Sequence, residues 1–293
     1  MLRTIYDAKN SLGECPIWCD RTHRLFWTNI LGQELSVYSP ESVSVQTWSM
    51  PERLASFALT DDNNVLLLGL ESRLAFFSLD SCELFPIADS PGAVGTRLND
   101  GRCDRQGNFV FGTMHESDVP QPIGAFYRLN AISLEIEPLP LRAVAISNSI
   151  CFCPSGKTMY YSDSTKQNIF CCDYPSMENQ RIFVEVVGDG VPDGSCIDAE
   201  GCLWNAQWGG SRVVRYTPDG KVDCIVEAVA SQTTCPAIGG PNQDILYCTS
   251  ARVGLSSPSE DDGALLTASG LGIRGIAESR FSGSVSALAS RAN

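Results

Sequence analysis

The sequence predicts an all-β fold, a single six-bladed β-propeller spanning residues 1–293, and three observations carry that prediction. Six stretches share one pattern: a turn rich in Asp, Asn, Gly or Ser, then a short apolar and aromatic run. They recur at about 40–50 residues, the repeat length of propeller blades. Helical periodicity is nearly absent, and repeats that bury their faces against neighbours leave no internal domain boundary.

The six units lie at 19–30, 60–70, 103–114, 153–164, 197–208 and 240–250, with turn markers Asp20, Asp61, Asp104, Pro154, Asp198 and Asn242. Each is expected to hold about four strands. In the first, strands are expected near Cys15–Trp18, Leu25–Ile30, Glu34–Tyr38 and Val45–Trp48. The apolar stretch Arg274–Ala277 is the expected closing strand, and the small, polar residues 278–293 read as a flexible tail.

Composition narrows the function. The net charge of −13 argues against nucleic acid or an anionic membrane as partner, since both want a basic face. No apolar run is long enough to span a bilayer, and residues 1–10 lack the pattern of an export signal, so a cytoplasmic protein is expected. The 13 cysteines then read as reduced, mostly buried small hydrophobes, because no pair of CxxC units stands at zinc-ribbon spacing. Only His23 and His115 are available to a catalytic triad, and no G-x-S-x-G elbow or phosphate-binding glycine loop accompanies them. Trp204 and Trp208 read first as packing between blades, although an aromatic face also suits a sugar.

The polar residues gain meaning from their phase in the repeat. The innermost strand of each blade lines the central channel, and residues five or six before each turn marker fall at one end of it. They are Glu14, Asn99, Asn148 and Asp193 in four blades, with Ala55 or Ser56 and Pro236 or Ala237 in the other two. Two carboxylates and two amides converging in a channel repel and lose hydration, and a bound cation offsets both costs. An all-oxygen donor set favours one hard divalent ion, Ca²⁺, Mg²⁺ or Mn²⁺, with Zn²⁺ also open.

At these same residues the sequence resembles the senescence-marker-protein/gluconolactonase/regucalcin family. The resemblance covers nearly the whole chain. It rests on Leu12-Gly-Glu-Cys-Pro-Ile-Trp18, Arg97-Leu-Asn-Asp-Gly101 with Gly112-Thr-Met114, Ile146-Ser-Asn148, Pro192-Asp-Gly194 with Ile197-Asp-Ala-Glu-Gly201, Thr249-Ser-Ala-Arg252 and Gly270-Leu-Gly-Ile-Arg-Gly275. The family are six-bladed propellers with one divalent metal in the channel, and most characterised members hydrolyse sugar lactones. By that resemblance Glu14, Asn148 and Asp193 are expected to ligate the metal. Arg97 and Asn99 are the expected substrate pair, and the family's further substrate contact falls on Ser117. Where the family usually has Gly after the first Glu and after the ligand Asn, this chain has Cys15 and Ser149. His115 faces the substrate or caps a strand.

These readings predict a metal-dependent enzyme that opens an aldono-, urono- or aldaro-lactone, with Asp193 as general base. Its partner would be the small sugar lactone alone, and it would act as a monomer or small homo-oligomer. The alternatives are a propeller that binds calcium or a sugar acid without turnover, and a lactone isomerase on the same metal site.

Overall fold

A strand covered on both faces has no solvent side, and the inner strands of this chain are of that kind while the outermost are not. Leu54–Leu59 and Ser147–Phe152 are buried at every position, whereas the outermost strands Ser44–Ser49 and Arg181–Glu185 are mostly open to solvent. The computed structural model describes residues 1–286, and in it 24 strands form six antiparallel four-stranded sheets. The inner strands of blades 1 to 6 are Gly13–Cys19, Leu54–Leu59, Thr96–Cys103, Ser147–Phe152, Val191–Ile197 and Thr233–Gly239. Each packs on the next, and the sixth packs on the first, so the ring closes.

The first blade has the four strands expected of it: Gly13–Cys19, Arg24–Asn29, Glu34–Ser39 and Ser44–Ser49. Its neighbours repeat the plan, and six apolar clusters lie in the six blade-to-blade interfaces. Trp204 sits fully buried in the interface of blades 5 and 6, its indole N–H donating to Asp198 at 2.9 Å. The turn markers act through their side chains. Asp104 accepts from the backbone N–H of Gln106 and Asn108, and Asp198 from those of Glu200 and Cys202, which fixes the hairpin turns. All 13 cysteines are free, and all but Cys82, Cys153 and Cys224 are buried. No helix among the described residues is long and apolar enough to cross a membrane.

Two expectations are corrected. Closure comes from the start of the chain: Arg3–Tyr6 pairs with Leu265–Ala268 and completes blade 6. Arg274–Ala277 forms no strand of a blade; Gly275 instead bridges Asp198 and donates its N–H to Gln243 O at 2.6 Å. The second correction concerns the tail. Residues 278–286 do not hang free but run across the channel end opposite the cavity described below. Glu278 pairs with Arg102 at 2.6 Å, Arg280 with Asp20 at 2.8 Å, and Phe281 is fully buried between blades 2 and 3. Small polar neighbours hid this anchor; a lone Phe directly after Arg280 was its one signal. The rest of the expected tail, 287–293, lies outside the described residues.

Candidate active site

Every inner strand breaks its register once, at the same height around the channel. The shifts fall between Glu14 and Ile17, Leu54 and Ser56, Leu98 and Gly101, Asn148 and Cys151, Pro192 and Ser195, and Thr233 and Pro236. A bulge bends the strand and re-aims a side chain that strict alternation would send elsewhere. Two of these bulges hold their residue at positive φ, Cys15 at 50° and Ser149 at 61°. Those are the two positions where the resembled family usually has glycine. Here the strain is held by contacts. Ser149 Oγ donates to Asp193 O at 2.5 Å and accepts from Ser162 Oγ at 3.0 Å, while the Cys15 side chain is buried between blades 1 and 2. At blade 5 the bulge needs glycine for space, since a Cβ on Gly194 would overlap the Cys235 side chain.

The bulges bring Glu14, Arg97, Asn99, Asn148 and Asp193 around one cavity of about 360 Å³. Trp208 and apolar side chains such as Met114, Ile146 and Val191 form its walls. Ser117 is not among the lining residues. It is exposed on the following loop, where its Oγ accepts from Val119 N. His115 caps that loop, its Nδ1 accepting from Gln121 N at 2.8 Å.

The amides are oriented by their partners. Asn148 Nδ2 donates to Ser164 Oγ at 2.8 Å, and that hydroxyl donates onward to Pro192 O at 2.8 Å. Asn148 Oδ1 is thereby left as an acceptor on the cavity side, 3.2 Å from Asn99 Nδ2. Asn99 also donates to Ser147 O, and its own Oδ1 accepts from Arg97 Nη1 at 2.9 Å. Asn99 therefore ties Arg97 to Asn148. Arg97 keeps a buried Nε with no hydrogen-bond partner.

The carboxyls are crowded. Glu14 and Asp193 share a hydrogen bond, and Glu14 Oε2 also accepts from Cys15 N at 3.1 Å. Burial raises the Glu14 carboxyl to about 8, helped by the charge of Asp100. Burial raises Asp193 well above the usual carboxylate range, and the Glu14 and Asp100 charges add to it. Glu14 lines the cavity, and Asp100 lies behind it, close enough for its charge to raise both Glu14 and Asp193.

The phase argument missed Asp100. It is the second residue of the blade 3 bulge, accepts from Ile150 N at 2.7 Å, and has its pKa raised by burial. Strict alternation allows one inward residue there, and the bulge admits two in a row. Ser164 and Glu116 were missed as well. Glu116 comes from the loop that was expected to present Ser117, and it lies 3.6 Å from Arg97 Nε.

Among the described residues, no three His, Cys, Asp or Glu side chains are grouped as a metal site. The candidate set is two carboxylates and one carboxamide, Glu14, Asp193 and Asn148. It nonetheless fits a hard cation: every donor is oxygen, Asn148 presents a fixed acceptor, and burial and mutual repulsion raise both carboxyls, costs that a cation beside them would offset.

Fold and cavity together define a class: six-bladed propellers with an oxygen-lined site at one end of the channel. Residues 12–252 match the model of the SMP-30/gluconolactonase/LRE-like region, and the chain belongs to that family. L-arabinolactonase of Azospirillum brasilense is 49% identical over 261 residues, covering 87% of this chain and 86% of that protein. The 6-deoxy-6-sulfogluconolactonase of Pseudomonas putida is 31% identical, covering 96% and 99%. Among solved structures, the calcium-binding protein regucalcin of Agrobacterium tumefaciens superposes with a TM-score of 0.87 at 28% identity, covering 96% and 97%.

Proposed function

We propose that the protein is a metal-dependent sugar lactonase. The observation that carries the reading is the convergence of Glu14, Asn148 and Asp193 with Arg97 and Asn99 on one cavity, in a chain of this family. The similarity to L-arabinolactonase makes a pentonolactone the first substrate to try.

Opening a cyclic ester needs a polarised carbonyl, an attacking water and a proton for the departing ring oxygen. Glu14, Asn148 and Asp193 would hold one divalent ion, Ca²⁺, Mg²⁺, Mn²⁺ or Zn²⁺. Bound there, it would supply Lewis acidity to the carbonyl oxygen and lower the pKa of a coordinated water. With positive charge beside them, both carboxyls are ionised, as ligation requires. The Asp193 carboxylate takes the proton of the attacking water at one oxygen and returns it to the ring oxygen as the C–O bond breaks. Arg97 lines the cavity, where its guanidinium can meet the substrate oxygens and the charge that develops on them, while its buried Nε faces Glu116 at 3.6 Å. Asn99 holds Arg97 in that orientation. Trp208 offers an apolar wall to the sugar face, and the neighbouring apolar residues limit the water that enters.

The likeness to a calcium-binding protein favours one second reading, a propeller that holds the ion without turnover. A proton-release assay on aldono-, urono- and aldaro-lactones separates the two. Rapid opening that stops with chelator and returns with a divalent ion supports the enzyme. A metal-loaded protein that opens none of them supports the binding role.

A further inference from the structure

Among the described residues, Arg97 is the only cationic side chain lining the cavity. A substrate carboxylate would have to find its partner there, and Arg97 is already matched. Its Nη1 donates to Leu98 O at 2.8 Å and to Asn99 Oδ1. Its Nε faces Glu116 Oε1 at 3.6 Å. Glu116 is no loose surface acid. Arg53 grips both of its oxygens, and the same Arg53 also holds Glu71 through two bonds of 2.7 and 2.6 Å. Arg53 is mostly covered, while Glu116 remains 44% exposed at the cavity rim. Glu71, Arg53, Glu116 and Arg97 therefore form a chain of alternating sign with no net charge. The other charged groups among the lining residues are the acids Glu14 and Asp193, with the charge of Asp100 close by.

We infer that Glu116, clamped by Arg53 against Arg97, is a specificity-determining residue that keeps lactones bearing a second carboxylate out and selects uncharged polyhydroxy lactones. The inference rests on the lactonase reading and adds the charge of its substrate. An uncharged sugar loses nothing at this rim: its hydroxyls donate to Glu116 and accept from Arg97. A uronic or aldaric lactone meets the Glu116 carboxylate on entry and reaches a guanidinium whose charge is spent. Discrimination by a repulsive group, built against the wrong ligand, needs no additional contact to the right one.

The test compares kcat/KM for L-arabinono-1,4-lactone with that for an aldarolactone carrying a free carboxylate, at 50 mM and 300 mM salt. The wild type is expected to favour the uncharged lactone at least 100-fold, less at high salt because the rim is exposed. Glu116→Gln should narrow that ratio at least tenfold, mainly through a lower KM for the charged lactone. Glu116→Asp should keep most of the discrimination. A merely structural role would change both substrates alike, and thermal midpoints of the variants check the fold. Equal wild-type rates on the two lactones, or an unchanged ratio in a folded Glu116→Gln protein, overturn the inference and leave the lactonase reading standing. Opening of neither lactone overturns the lactonase reading, and this inference with it.

Discussion

The two ends of the central channel are built from the same six inner strands and solve opposite electrostatic problems. At the cavity end Glu14, Asp193 and Asp100 gather like charges, and two of these carboxyls share a hydrogen bond. Two residues further along the blade 3 strand, Arg102 faces the other end and finds Glu278 of the C-terminal strap at 2.6 Å. One end leaves charge waiting for a ligand, and the other closes on its own chain. A protein that sought stability alone would pair both ends. Crowded acids beside a paired far end mark where function is kept at the expense of stability.

The largest effect that would break this contrast is chemical. Asp193→Asn removes the proposed base and should lower kcat by roughly 10²–10⁴, read as proton release at saturating lactone. The same change removes one of the crowded acids, so the chelated protein should melt higher than the chelated wild type. A variant with full turnover and unchanged metal loading would take Asp193 out of the base role.

The opposite pattern belongs to the strap. Phe281→Ala deletes a fully buried ring and should cost about 3–5 kcal/mol of stability in denaturant unfolding. Below the melting transition kcat should stay within twofold, because the ring sits between blades 2 and 3 and not at the cavity. Loss of turnover in the folded variant would mean that the two ends are coupled.

A pH series sharpens the comparison. In the chelated protein Glu14 keeps its proton up to about 8, against an ordinary value of 4.5. Between those limits the unfolded chain has released a proton that the folded one still holds. Stability therefore falls as pH rises through that window. Glu14→Gln should flatten the slope of the melting midpoint from pH 5 to 8. With a divalent ion the trend should reverse, because binding requires the ionised carboxyls and tightens with pH. A chelated wild type whose midpoint is level across the window would remove the crowding argument.

The smallest effect is expected at the bulges. Ser149→Gly relieves a positive φ and loses the hydroxyl bond to Asp193 O, two opposing terms of about 1 kcal/mol each. Its unfolding free energy should stay within about 1 kcal/mol of wild type. A shift several times larger would show that one term had been misjudged.

What the sequence made legible follows from periodicity. The Asp and Gly turns with their apolar runs marked six blades, and counting back from the turns reached Glu14, Asn99, Asn148 and Asp193 on four separate strands. Counting failed where the backbone departs from alternation. Asp100 enters because a bulge turns two consecutive residues inward. Ser117 was expected at the substrate because family spacing was carried across a loop, and the loop instead brings Glu116 to Arg97. The closing strand and the strap are long-range pairings, Arg3–Tyr6 with Leu265–Ala268 and Glu278 with Arg102, for which no local pattern exists.

The most direct test of the central claim, a divalent ion held by Glu14, Asn148 and Asp193 for lactone opening, is a paired measurement on one preparation. Metal content and proton release from a lactone panel are followed as chelator is added and a divalent ion is returned. The account predicts one ion per chain, ring opening that disappears in step with its removal, and recovery when it is restored. Undiminished opening by protein stripped of metal would contradict it.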